Sequence, residues 1–172
     1  MINDMKRLMY CITASLLALA SGCTVKYSLS GASIPPDAKT FSVAYFPNNA
    51  PMVAPILSAT LTDALVDKFS RQTRLTQVEE GGDFAFEGEI TGYSSTTASV
   101  SSNDYALQNR LTITVKVRFT NAVDETMSFN KNFSAYSDYD ATRLLNEVEQ
   151  ELITEIVDQL VTDIFQAAAS NW

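Results

Sequence analysis

Histidine is absent from this 172-residue chain, and cysteine occurs only twice, as Cys11 and Cys23. The first absence removes the commonest general base, the commonest metal ligand and every Ser-His or Cys-His nucleophile. Basic residues are scarce: 12 Lys and Arg stand against 20 Asp and Glu, for a formal charge of −8. That balance argues against nucleic acid as a partner, since a phosphate backbone demands clustered cations. Long apolar runs are missing as well. The longest, Leu8 to Ala20, is about a dozen residues and falls short of the roughly 20 that span a bilayer. Gly81-Gly82 lacks any GxGxxG or Walker context and reads as a turn with no claim on phosphate.

What is present begins with that apolar run. Lys6 and Arg7 precede it, and Ala20, Ser21 and Gly22 follow it directly before Cys23. Charged n-region, short h-region and small residues before a cut make a secretory signal over residues 1–22. Small residues immediately before a cysteine resemble the lipobox of bacterial lipoproteins, in which the cysteine becomes residue one and carries acyl groups. Leu is usual three residues before that cysteine; here Ala20 holds the place and Leu19 stands one step back. Two or three acyl chains anchor a protein stably where a single chain does not. Cys11 leaves with the signal and Cys23 is acylated, so the mature chain has no disulfide, metal or cofactor beyond its covalent lipid. The signal carries Asp4, Lys6 and Arg7, a net +1, so the remaining side chains sum to −9.

Residues 23–38 read as the lipidated cysteine and a tether, with a short possible strand at Val25–Leu29 before Pro35 and Pro36. Residues 39–172 read as one domain. Thr40–Phe46 alternates as a strand with Phe41, Val43 and Tyr45 on one face. A helix from about Pro51 or Ala54 to Thr73 carries Leu57, Leu61, Leu65 and Phe69 in one stripe. Leu75–Val78 is a short strand. Asp83–Tyr93 places Phe84, Phe86 and Ile90 inward, with Gly88 and Gly92 in the same register. The Ser/Thr-rich Ser94–Asn103 has no apolar face and is a hairpin connection or a strand extension. Arg110–Thr120 alternates cleanly, and Thr126–Tyr136 is a further strand in which inward-facing Lys131 predicts a bulge or an edge. The last helix runs from about Thr142 to Ala169. Its Glu147, Glu151, Glu155 and Asp158 share one solvated arc, while its apolar arc is wide enough to touch the sheet, the first helix and a partner. This order gives an α+β two-layer sandwich: a mostly antiparallel sheet with two helices packed on one face.

Arg110, Lys116 and Arg118 share the polar face of one strand and are the candidate site for phosphates of an anionic glycolipid. The competing reading is ordinary cross-strand ion pairing: a symmetric hairpin sets Glu87 opposite Lys116, with Glu89 diagonal to it. Glu87 and Glu89 are spaced as a paired acid and base, but nothing near them suggests burial. No catalytic residue is assigned, and an enzyme is not expected. Trp172 either caps the core or anchors at a membrane interface.

The pieces GASIPPDAKTFSVAYFPNNAP (31–51), GGDFAFEGEITGY (81–93) and NRLTITVKVRFTN (109–121), with a long C-terminal helix ending in NW, resemble the LptE-type lipopolysaccharide-assembly lipoproteins, in a branch divergent from the enterobacterial one. The resemblance implies a lipoprotein on the periplasmic face of the outer membrane. It implies that the chain plugs and helps assemble the LptD β-barrel, and binds lipopolysaccharide in transit to the outer leaflet. The family's two-layer sandwich matches the reading of the elements above. Thr24 after the cysteine, with no acidic residue close behind, resembles lipoproteins sent to the outer membrane. The DFAFEGEI segment is also similar to outer-membrane lipoproteins of the CsgG and peptidoglycan-synthase-activator kind, which bind proteins or oligomerise into a pore.

Overall fold

Unbroken alternation between Arg110 and Thr120 leaves one face of the chain apolar and the other polar, and the fold is organised around burying the first. The computed structural model describes residues 34–98 and 107–169. Its elements are β1 (Thr40–Val43), α1 (Leu57–Gln72), β2 (Thr76–Gln77), β3 (Phe84–Ala98), β4 (Gln108–Asn121), β5 (Phe129–Asp140) and α2 (Leu145–Ala169). The five strands lie in the order β2-β1-β3-β4-β5. β3, β4 and β5 form an antiparallel meander, and β1 runs parallel to both β2 and β3. The sheet is therefore mixed but mostly antiparallel, and both helices cover one face, as the sequence predicts.

Leu111, Ile113, Val115, Val117 and Phe119 of β4 are all buried, beneath helices that supply Leu57, Leu61, Leu65 and Phe69 from α1. Phe69 has its ring centroid 4.6 Å from Phe86, 5.0 Å from Phe165 and 5.8 Å from Phe41. One side chain thus joins β1, β3 and both helices. The wide apolar arc of α2, from Val148 to Ala169, is buried in full against the sheet and α1, while Glu147, Glu151, Glu155 and Asp158 are exposed. Lys131 sits on β5, an edge strand, where its exposed ammonium lies 5.2 Å from the Phe129 ring. The edge accounts for its inward register.

Several expectations are corrected. β1 stops at Val43, so Tyr45 points into solvent at 64% exposure and Phe46 turns into the core instead. The fifth strand starts at Phe129, after a 3₁₀ turn at Glu125–Met127, and runs on to Asp140. β3 continues through the Ser/Thr segment to Ala98, so the strand-extension reading holds that far. A bulge between Ile90 and Gly92 moves the inward register to Tyr93, and Gly92 falls on the outer face opposite Thr114. The Val25–Leu29 strand, Cys23, residues 99–106 and Trp172 lie outside the described residues.

Gly88 does lie inward. A methyl there would meet the Lys116 carbonyl oxygen, and Phe46 Cε1 at 2.5 Å, so the Phe46 ring occupies the space a side chain would need. Besides the β1–β3 ladder, Asp83, just before β3, ties these segments together. Its Oδ2 accepts from the backbone N–H of Lys39 at 2.8 Å, that of Thr40 at 2.9 Å, and the Thr40 hydroxyl at 2.9 Å. The Lys39 and Thr40 amides, then the Thr40 hydroxyl, hold this carboxyl below its ordinary value.

Gly88→Ala should cost about 1–3 kcal/mol by overpacking. Gly92→Ala, whose methyl would sit 3.1 Å from Thr114 Cβ, should cost less; urea midpoints compare the two. Asp83 stabilises the fold only while charged, fully above the unfolded carboxylate pKa near 4, and progressively less as pH falls through its lower folded value. Asp83→Asn should lower the melting temperature at pH 7 and flatten its acid dependence below about pH 4. Equal melting curves at pH 7 and pH 3 for both proteins would refute this role.

Candidate functional site

With one sheet face under the helices, the other is open, and the alternation of β3, β4 and β5 decides what it displays. The three predicted basic residues all lie there on β4, but they form two separate environments. Arg110 and Lys116 are six residues apart, about 20 Å along a strand, whereas Lys116 and Arg118 are neighbours on the same face.

Arg110 is engaged. Its Nε donates to Asp138 Oδ1 at 2.7 Å and its Nη2 to Oδ2 at 2.8 Å, a bidentate pair across β4 and β5. Its guanidinium carbon also lies 3.7 Å from the centroid of the Tyr136 ring. The bond to Asp138 raises the Arg110 pKa, and the bond to Arg110 lowers that of Asp138. Arg110 thus makes a cross-strand ion pair, with Asp138 of β5.

At the other end the register differs from expectation. Glu87 pairs with Arg118 and Glu89 with Lys116, two residues from the symmetric-hairpin estimate; from Gly92–Thr114 to Ala98–Gln108 the pairing is three residues from it, and the unpaired Thr91 takes one back. A shift of two keeps Glu87, Glu89, Lys116 and Arg118 on their predicted face. Arg118 Nη1 is 3.9 Å from Glu87 Oε2, with both side chains more than 60% exposed, a contact that water and salt weaken. Glu89 instead accepts from Asn49 Nδ2 at 2.7 Å. Lys116 makes no ion pair among the described residues. A depression of about 310 Å³ collects these groups, lined by Pro47, Glu87, Gly88, Glu89, Lys116, Arg118 and Asn130.

The sequence reading missed the amides of this site. Asn130 and Asn132 stand opposite Arg118 and Lys116 on β5, and Asn49 comes from the chain beyond β1. The alternation of β5 carries a signal for the first two; Asn49 is placed by a backbone bridge at Ile90 that no local pattern foretells. The depression offers two cations, two carboxylates and amide groups. Such a set fits a polar, phosphorylated or sugar-bearing headgroup by direct and water-mediated hydrogen bonds, and offers nothing to an acyl chain.

On the covered face the upper half of the sheet meets α2 through polar contacts. Tyr93 donates its phenol proton to Glu149 Oε1 at 2.6 Å, and Ser137 donates to Glu155 Oε2 at 2.7 Å. Burial, then the bond to Glu149, raises the Tyr93 pKa well above that of a free phenol. Glu149, which interrupts the apolar arc of α2, is thereby accounted for. No group of His, Cys, Asp and Glu among the described residues is arranged to hold a metal. No described helix is long and apolar enough to cross a membrane.

Comparison with known proteins adds the family. No curated protein sequence matches the chain. A hypothetical protein of Chlamydia trachomatis of known structure is similar at a TM-score of 0.53 and 8% identity, over 78% of this chain and 99% of that one. A Xanthomonas campestris protein is similar at 0.50 and 13% identity, over 77% and 90%. A minor lipoprotein of Acinetobacter baumannii is similar at 0.45 and 15% identity, over 75% and 91%. At such identities the first two likenesses speak to the fold alone. The family model for LptE, described as lipopolysaccharide-assembly, matches residues 38–168, which include every strand and all but the last residue of the helices described above. The chain belongs to the LptE lipopolysaccharide-assembly family.

Proposed function

We propose that this chain is an outer-membrane lipoprotein, acylated at Cys23 on the periplasmic face, that plugs and helps assemble an LptD-type β-barrel and binds lipopolysaccharide there. The observation that carries the reading is the family match over residues 38–168, joined to a lipobox-like sequence ending at Cys23. The domain works by contact and has no catalytic step. Its bare outer sheet face meets the hydrophilic part of the lipid, with Lys116 and Arg118 taking phosphate or carboxylate oxygens and Arg110 serving to hold β5 to β4. Two exposed cations suit transient hold and release better than tight capture, because neighbouring Glu87 and Glu89 temper their field. Acyl chains at Cys23 confine the domain to the membrane surface, where the barrel is met. The CsgG-like or synthase-activator-like alternative, a protein-binding scaffold or pore component, rests on the DFAFEGEI segment; the family match covers that segment and favours the LptE reading.

Cys23→Ala should move the protein from the outer-membrane fraction to the soluble periplasm and lower the yield of assembled barrel. Unchanged fractionation would sink the anchor. A mild-detergent pull-down on the C-terminus should bring down a barrel of LptD size, whereas a homo-oligomer alone would support the scaffold alternative. Lys116→Glu with Arg118→Glu should weaken binding of purified lipopolysaccharide at least tenfold and flatten what remains of its loss with added salt. Arg110→Gln should leave that binding within about twofold while lowering the urea midpoint. The reverse ranking would move the contact to Arg110.

A further inference from the structure

Residues 40–62 contain no Asp, Glu, Lys or Arg; the nearest charges in sequence are Lys39 and Asp63. Within this stretch the connection between β1 and α1 carries Tyr45, Met52, Val53 and Ile56 exposed by 64%, 45%, 63% and 43%. These are four of the large apolar side chains that the described surface leaves most open. The connection is also stiff. Pro47, Pro51 and Pro55 restrict its backbone, Asn49 and Pro47 bond to Ile90, and Phe46 N–H donates to the Thr62 hydroxyl at 3.3 Å. Apolar groups held on a stiff loop need little further ordering when they are covered.

Charge elsewhere on the domain limits what can cover them. α2 carries Glu147, Glu149, Glu151, Glu155, Asp158 and Asp163 and no basic residue. The outer sheet face displays Glu87, Glu89, Asp138 and Asp140 beside its cations. Pressing either surface onto lipid would desolvate carboxylates or set them against anionic headgroups. The charge-free connection avoids both costs. Length supplies the partner: from Cys23 to Ile34, where description begins, the chain reaches at most about 40 Å. A domain tethered so closely meets a bilayer before it meets anything else.

We infer that the β1–α1 connection is a second membrane contact, in which Met52, Val53 and Ile56 enter the interfacial layer of the bilayer and Tyr45 lies at its polar edge. The inference rests on the lipid-anchor part of the reading above and is independent of the barrel. One anchor allows the domain to swivel; anchor plus loop fixes which side faces the membrane, and the acidic helix layer is turned away from it.

The test uses the full mature chain on vesicles of phosphatidylethanolamine and phosphatidylglycerol. Acylated protein carrying Val53→Cys, labelled with a polarity-sensitive fluorophore, should be blue-shifted and quenched by doxyl-labelled lipid. The same label at Asp67→Cys on α1 should be neither. A label at position 53 that stays water-exposed overturns the inference. So does one that is shielded but unquenched, which would mean that protein covers the loop. Independently, the non-acylated Cys23→Ser chain should co-float weakly with these vesicles, and adding Met52→Ser, Val53→Ser and Ile56→Ser should cut the bound fraction about tenfold or more. Equal flotation of the two chains overturns it. Mass spectrometry of residue 23 separates the two readings. An unmodified cysteine with loop-dependent flotation would end the anchor and leave the loop contact standing.

Discussion

Phe69 packs against Phe41, Phe86 and Phe165, and through them binds β1, β3 and α2 to α1. β1 is only four residues long and has β2, of two residues, as its outer neighbour. Strands this short cannot hold their place by ladder hydrogen bonds alone. Phe41 is buried because α1 presents a ring to it, and α1 presents that ring because Leu57, Leu61, Leu65 and Phe69 recur at helical spacing. The aromatic contacts continue from Phe86 through Phe119 to Phe129 and Phe133, so one connected set of rings runs from the short parallel strands to the far edge. Removing Phe69 would take away the ring through which α1 touches Phe41, Phe86 and Phe165.

A sheet buried on one side only has consequences for the chemistry available on the other. Among the described residues no second layer of helices covers its outer face, and the depression around Lys116 and Arg118 is shallow. The side chains of Glu87 and Arg118 there are more than 60% exposed. That arrangement suits recognition of a large polar surface. It also suits a family described as lipopolysaccharide-assembly.

Much of this was legible in the residues. The faces of β4, the stripe of α1, the solvated arc of α2 and the edge position implied by Lys131 all follow from side-chain period, a local property of the chain. Errors arose where a non-local contact decides. Phe46 and not Tyr45 is buried because Gly88, forty-two residues away, leaves room for its ring. Gly92 changes faces because a bulge inserts Thr91, which alternation cannot foresee. At the site, the face of Lys116 and Arg118 was predictable, but their partners were not, since a register slip of two is invisible to period-two reasoning. Arg110 illustrates the converse: its charge was evident, but its neutralisation by Asp138 depended on a pairing between two strands.

The Ser/Thr segment follows from the same geometry. β3 has 15 residues, about 50 Å at strand rise, whereas the 25 residues of α2 span about 37 Å at helix rise. The longest strand therefore outruns the layer that covers it. Where cover ends, apolar residues on either face would be exposed, and from Ser94 to Ala98 no residue of β3 is buried. Ser95 still finds a partner in the Tyr139 hydroxyl at 2.7 Å; Thr96 and Thr97 beyond it face water. β-branched Thr keeps the strand straight without an apolar face. A Ser/Thr composition without an apolar face is thus what a strand end beyond its cover requires, and the strand-extension reading of Ser94–Asn103 applies as far as Ala98.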